Sequence, residues 1–186
     1  MYVTEKLRQD WQKRYGIPRV LPIRQAISAQ ECTMIKQSQH HGRAHDITLF
    51  ILDQEKVVLI KKHFFPPGAY RAPSGGLMPG ESLEDGAARE GLEETGLRIV
   101  LKTYLLRALA EFYTDSETLH WTSDVFSAGV LGGTLETQDP EEIAEVRWGT
   151  IEELQGSIRE ALLRSGRSLF HYRVQLTDAA VEALKT

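Results

Sequence analysis

The stretch Gly75-Gly76-Leu77-Met78-Pro79-Gly80-Glu81, followed by Ser82-Leu83-Glu84-Asp85 and closing on Arg89-Glu90-Gly91-Leu92-Glu93-Glu94-Thr95-Gly96-Leu97, decides how the rest of the chain is read. Ser82 with an acidic side chain three residues on is the pattern of a helix N-cap. Gly96 stands where a left-handed C-cap belongs. A helix is therefore expected over residues 82–95. At about 100° per residue, Glu90 and Glu94 project within about 40° of each other, with Glu93 on the same flank and Leu92 turned away to pack. Carboxylates this close repel, and near a helix C-terminus the macrodipole disfavours them further. The arrangement is destabilising unless something neutralises it. Clustered carboxylate oxygens suit Mg²⁺ or Mn²⁺, and Arg89 offsets part of the repulsion while fixing a carboxylate's orientation. The glycines ahead of the helix let backbone come close to an anionic ligand.

Upstream, Ile47-Thr48-Leu49-Phe50-Ile51-Leu52 and Lys56-Val57-Val58-Leu59-Ile60-Lys61 read as two strands joined by a turn at Asp53-Gln54-Glu55. Downstream, residues 97–113 and 119–130 read as long paired strands, and 145–148 as a short one. Thr150-Ile151-Glu152-Glu153 is a second capping pattern opening a helix, and Thr177 is expected to cap the last helix, to about Leu184. At the N-terminus, Leu7, Trp11 and Tyr15 form a helical stripe capped by Thr4 and ended by Gly16 and Pro18. Strands are expected around residues 20–27 and 32–36, then a polar loop over 37–45. Mixed strands and helices indicate an α/β or α+β sandwich.

The 75–97 stretch resembles the signature of the Nudix family. In that signature a glycine is followed by five residues and a glutamate, then by seven residues and Arg-Glu, an aliphatic residue, any residue, Glu-Glu, any residue, a glycine and an aliphatic residue. Gly75, Glu81, Arg89, Glu90, Glu93, Glu94, Gly96 and Leu97 fall in register. Gly91 departs, standing where the family has a bulky aliphatic. It costs helix stability by roughly 1 kcal/mol relative to alanine, and it lets the helix lie closer to the sheet. The resemblance implies a Nudix-type α/β/α sandwich with a mixed central sheet over residues 44–165. Residues 1–45 would form an N-terminal extension and 166–186 a C-terminal helical tail.

It further implies a Mg²⁺-dependent pyrophosphohydrolase (Mn²⁺ being an alternative), with Glu90, Glu93 and Glu94 as metal ligands and Glu81 supporting the metal or the loop. Glu93, Glu94 and Arg89 would be catalytic. In this family the general base is either a glutamate of the signature or one from a loop outside it. The acidic run Asp139-Pro140-Glu141-Glu142 makes Glu142 and Glu141 the outside candidates, beside the alternative of a solvated loop. Arg71, Gly75, Gly76 and Arg43 are expected to bind substrate, the arginines by bidentate phosphate contacts. The substrate would be a nucleoside diphosphate derivative. The long N-terminal extension suggests an ADP-ribose-like compound, whereas Tyr113, sixteen residues after Leu97, suggests a dinucleoside polyphosphate. A nucleotide-sensing or partner-binding domain without turnover is the alternative function.

The remaining features set bounds. A formal charge of −4 argues against a nucleic-acid scaffold, which would carry a basic stripe. One cysteine, Cys32, allows neither an internal disulfide nor a cysteine metal site and reads as a small buried hydrophobe. No stretch has the length of a membrane span, and residues 1–6 lack the apolar run of a signal peptide. A cytoplasmic protein is expected, with a homodimer left open. His40, His41 and His45 read as part of a polar loop, Trp121 and Trp148 as core, and Phe64, Phe65 and Tyr70 as packing residues or stacking partners for a base.

Overall fold

The structure is a computed structural model that describes residues 3–39 and 42–185. In chain order the elements are α1 (Glu5–Tyr15), β1 (Arg19–Ala26), α2 (Ala29–Ser38), β2 (His45–Asp53), β3 (Lys56–Lys62), β4 (Ser74–Gly75), α3 (Leu83–Thr95), β5 (Leu97–Tyr113), β6 (Thr118–Gly133), β7 (Ile143–Thr150), α4 (Ile151–Gln155), α5 (Ser157–Arg164) and α6 (Ser168–Leu184). Among the described residues the strands form one sheet in the order β1-β5-β6-β2-β3-β7, with β4 paired to β2. The sheet is mixed: β1 runs parallel to β5 and β2 parallel to β6, and the other pairs are antiparallel.

Near-continuous apolar runs such as 47–52 are what a strand covered on both faces requires. Alternate residues of β2 and β3 feed two separate cores. Ile47, Leu49, Ile51 and Val58 pack with Trp11 of α1 and with Leu83 and Ala87 of α3. Phe50, Val57 and Leu59 pack on the other face, against Ile35 of α2, Leu154 of α4, Ile158 of α5 and Phe170 of α6. This is the expected α/β/α sandwich. Gly91 explains how close α3 lies, because a Cβ there would sit 3.0 Å from Ile99 Cδ1 of β5.

Polar side chains buried between the layers hold them in register. Arg8 of α1 donates from Nε to Asp124 Oδ1 (3.2 Å) and from Nη2 to Oδ2 (3.0 Å), and Tyr104 donates its hydroxyl to the same carboxylate. Both members of the pair are buried, so removing one alone would strand the other at a cost of about 3–5 kcal/mol.

Several expectations are corrected. Residues 32–36 are helical, within α2, and not a strand. Ser28-Ala29-Gln30-Glu31 forms a capping box there, with Glu31 N–H donating to Ser28 Oγ (3.2 Å) and Ser28 N–H to Glu31 Oε2 (2.9 Å). The last helix begins at Ser168, not at Thr177, which lies buried in its interior. Its first turn is satisfied by a distant residue, Glu31 Oε1, which accepts from Leu169 N–H at 2.9 Å; no local pattern announces such a cap. The helix opened by Thr150 divides at Gly156 into α4 and α5. Trp121 and Trp148 are partly buried and not fully core. Cys32 is buried as expected, whereas His40 and His41 lie outside the described residues.

His45, expected in the polar loop, is instead the buried first residue of β2. Burial pulls its pKa down to about 4, and neighbouring Asp46 only partly opposes this. The imidazole is thus neutral in the fold over a range where the unfolded chain, titrating near 6.5, takes up a proton. Its contribution to stability is present above pH 6.5 and is lost as pH falls toward 4. The melting temperature of wild type minus that of His45→Gln should therefore rise from pH 4 to pH 6.5 and level off above. A difference constant with pH would contradict the assignment.

Candidate active site

The β2–β3 hairpin stays paired only near its turn, at Leu52↔Val57 and Asp53↔Lys56. Beyond that the two strands part, and the chain that follows β3 is laid between them. Arg71 N–H donates to Ile60 O (3.0 Å), Ile60 N–H donates to Arg71 O (2.8 Å), and Leu49 N–H donates to Pro73 O (2.9 Å). Ser74 and Gly75 then pair with Thr48 and Ile47 as β4. The glycine-rich loop is thereby fixed in the sheet at the point where α3 crosses it.

Gly75 and Gly76 are glycine because of what touches them. A Cβ on Gly75 would overlap the Glu90 carboxylate, and one on Gly76 would overlap the Arg43 guanidinium. The structure therefore brings four of the expected residues together: Gly75, Gly76, Glu90 and Arg43. The Arg43 Nε donates to Ser38 O at 3.1 Å, and its guanidinium lies over the Trp121 ring at 5.9 Å.

Helix α3 starts at Ser82, whose Oγ accepts from Asp85 N–H (3.1 Å), and stops at Gly96 with φ 71°. Its carboxylates occupy three different environments. Glu94 is buried; its Oε2 accepts from Ser74 N–H at 2.8 Å, and its Oε1 lies 3.5 Å from Arg71 Nη2. Burial raises its pKa to about 7, with Glu90 and Glu142 adding to the rise and Arg71 and Lys62 opposing it. Glu90 is also raised, chiefly by burial, although Arg89 Nη1 donates to it at 2.8 Å. Glu93 is half exposed, and Leu92 is 45% exposed and does not pack.

Arg89 does more than offset repulsion. It donates to Glu81 (Nε–Oε1 2.8 Å, Nη2–Oε2 3.0 Å), to Glu90, to Glu93 (3.1 Å) and to the Gly76 carbonyl (2.9 Å). One guanidinium thus ties the loop to the helix and offsets part of the charge of three glutamates. That pairing lowers the Glu81 pKa. Among the described residues no group of three or more His, Cys, Asp or Glu side chains converges as a metal site would. The donor chemistry nevertheless fits a hard divalent cation, because Glu94 is buried, Glu90 is partly buried, and their charged forms lack full compensation.

The opposite wall comes from β3 and the loop before β7. Lys62 pairs with Glu142, and His63 Nε2 lies 3.0 Å from Pro140 O. Burial, with Arg71 next, lowers the Lys62 pKa. Glu142 is exposed; the loop before it is held to α3, with Gln138 N–H donating to Glu93 O at 2.9 Å, and its charge bears on both Glu90 and Glu94.

Beside Arg71 opens a cavity of about 240 Å³ between the sheet, α2 and α6. Phe64, Phe65, Phe112, Trp121, Phe170 and Tyr172 form most of its wall, and Lys62, Arg71 and Arg173 bring positive charge to it. Arg173 is held by Asp46 (Nη2–Oδ2 2.9 Å), which also accepts from Trp121 Nε1 at 3.2 Å. Lys62 and Arg173 were not among the residues expected from sequence. Lys62 ends an ordinary strand pattern, while Arg173 lies far from the signature; its only signal is a cation inside the apolar-rich run 169–176.

Residues 42–170 match the model of the NUDIX domain family. The chain belongs to the Nudix family. It is 38% identical over 89 residues to MutT4 of Mycobacterium tuberculosis, covering 48% of this chain and 36% of that protein. It is 30% identical over 139 residues to the NAD-capped RNA hydrolase NudC of Stutzerimonas stutzeri, covering 74% of this chain and 46% of NudC. It therefore spans less than half the length of either relative. A NUDIX hydrolase structure from Nitrosomonas europaea superposes with a TM-score of 0.54 at 21% identity, covering 77% of this chain and 88% of that one. That likeness supports the fold. No helix among the described residues is long and apolar enough to cross a membrane.

Replacing Arg89 with alanine should lower unfolding stability by about 2–3 kcal/mol, since several charge-assisted bonds go at once. Urea unfolding would measure this. An unchanged midpoint would show that the arginine does not hold the loop to the helix.

Proposed function

We propose that this Nudix protein hydrolyses a diphosphate linkage in a nucleotide-like compound, with Mg²⁺ or Mn²⁺ bound by Glu90, Glu93 and Glu94. One observation carries the reading: Arg71 lines the aromatic cavity and also lies against the buried Glu94. A group seated in the cavity would have its phosphates at the cationic rim, next to the carboxylate helix. The bound cation would supply charge neutralisation of the diphosphate oxygens and a lowered pKa for the attacking water.

The rest falls to this chain's own side chains. Arg71, Lys62 and Arg173 take phosphate oxygens, and Arg43 orders the Gly76 end of the loop. Ser74 N–H and Arg71 hold Glu94 in one orientation. Attack places the water oxygen on one phosphorus as the bridging P–O bond breaks, leaving two phosphate-bearing products. The water proton passes to a carboxylate, for which Glu142 is placed across from α3, and Lys62 steers it there. ADP-ribose-like compounds fit a cavity that takes one ring system. NudC, by its name, acts on NAD-capped RNA, which also joins ring-bearing groups through a diphosphate.

Assays with Mg²⁺ on ADP-ribose, diadenosine polyphosphates, nucleoside triphosphates and nucleotide sugars test the reading. Turnover of at least one diphosphate-linked member is expected. Glu94→Gln should lower kcat/KM by about a hundredfold or more while leaving the melting temperature within a few degrees. Full activity in that variant would remove Glu94 from the site. Glu142→Gln should reduce kcat more than it changes KM, and Glu141→Gln should leave both near wild type. Equal effects from the two would refute the assignment of the base.

A further inference from the structure

The volume and chemistry of the cavity beside Arg71 restrict what its occupant can show to the protein. About 240 Å³ is less than the roughly 300 Å³ at which pockets for whole drug-sized ligands begin. One ring system fits, and the phosphates attached to it remain at the rim.

Among the described residues, none of those lining the cavity is Asp, Glu, Asn or Gln. The hydroxyl and indole groups present are already engaged within the protein. Ser38 Oγ donates to Ile35 O at 2.7 Å, Trp121 Nε1 donates to Asp46, and the Tyr172 hydroxyl is paired with Ser123 Oγ at 2.6 Å. The three cations are donors without acceptor capacity, and each already has an acidic partner, respectively Glu142, Glu94 and Asp46. They lie near one another: Arg71 acts on Lys62, and Arg173 acts on Arg71. Such a group suits phosphate oxygens. What the side chains leave for the occupant is ring faces and alkyl groups.

A wall of this kind discriminates weakly. Apolar pockets separate related ligands by roughly 10- to 200-fold, and mainly by size, whereas a site built to hydrogen-bond one edge separates them by about 10⁴ or more. Stacking on aromatic side chains is tolerant because every base has a π-face.

We propose that the cavity selects an aromatic ring without reading its hydrogen-bonding edge, so that bases of equal size are accepted alike. This rests on the reading above that the cavity holds the base of a nucleotide-like diphosphate. Adenine and guanine are matched in size with inverted edges, and so are cytosine and uracil.

Two measurements on the full chain separate failure of this proposal from failure of the hydrolase reading. Calorimetric titration with ADP, GDP, CDP and UDP should give Kd values less than about tenfold apart within each matched pair. With Mg²⁺, kcat/KM for ADP-glucose, GDP-glucose, CDP-glucose and UDP-glucose should show the same evenness. A preference of about tenfold or more within either pair, or no binding of any diphosphate, overturns the proposal. Even binding without turnover of these four compounds or of any diphosphate-linked member of the panel above upholds it and refutes the hydrolase reading. Phe64→Ala removes a half-exposed ring of the wall and should weaken all four diphosphates alike, by about fivefold or more. A loss confined to one base would overturn the proposal.

Discussion

Burying the Glu94 carboxylate at the C-terminal end of a helix, beside the carboxylate of Glu90, is the constraint around which this molecule is arranged. Water is excluded there, and the helix dipole opposes negative charge. The protein compensates only in part. Ser74 N–H donates to one oxygen and Arg71 approaches the other, yet burial still holds the pKa near 7. That incomplete compensation is what the proposed cation would complete. The parting of β2 from β3, the strand-like insertion of residues 71–75 and the two glycines pressed against Glu90 and Arg43 all bring backbone and cations to this place.

Charge also explains why the elements outside the signature are attached so firmly. Asp46 of β2 holds Arg173 of α6 and the indole of Trp121, while Asp124 of β6 holds Arg8 of α1. The two arginine bonds each join the sheet to a helix that the signature does not contain. The α6 attachment also shapes the cavity, because Arg173 and Tyr172 form part of its wall. Glu31 serves a related end, capping α2 locally and the first turn of α6 at long range. The cavity is therefore built by folding N-terminal and C-terminal segments together over one face of the sheet.

Much of this was legible in the sequence, for physical reasons. The paired apolar runs at 47–52 and 56–61, the Ser82 cap and the Gly96 stop are local patterns, and each element formed where it was expected. The spacing of Glu90 and Glu94 fixed their shared helix face. One misreading was of nonlocal origin. The start of α6 depends on a carboxylate more than a hundred residues away in sequence. Residues 32–36 show too little periodicity to override a strand reading, although the Ser28 capping box was available. Arg89 was expected to offset part of the repulsion in the carboxylate cluster; in the fold it reaches Glu90 and Glu93 of that cluster and Glu81 of the loop as well. Lys62 and Arg173 come to line the cavity beside Arg71 only through tertiary packing.

The central claim is that α3 carries a divalent-cation site centred on the buried Glu94. The most direct measurement is paramagnetic broadening of backbone amide signals by substoichiometric Mn²⁺ in the isotopically labelled protein. The account predicts selective loss of the signals of Ser74, Gly75, Glu90 and Glu94 before any others. Broadening spread over the acidic surface, with those four amides unaffected, would contradict it.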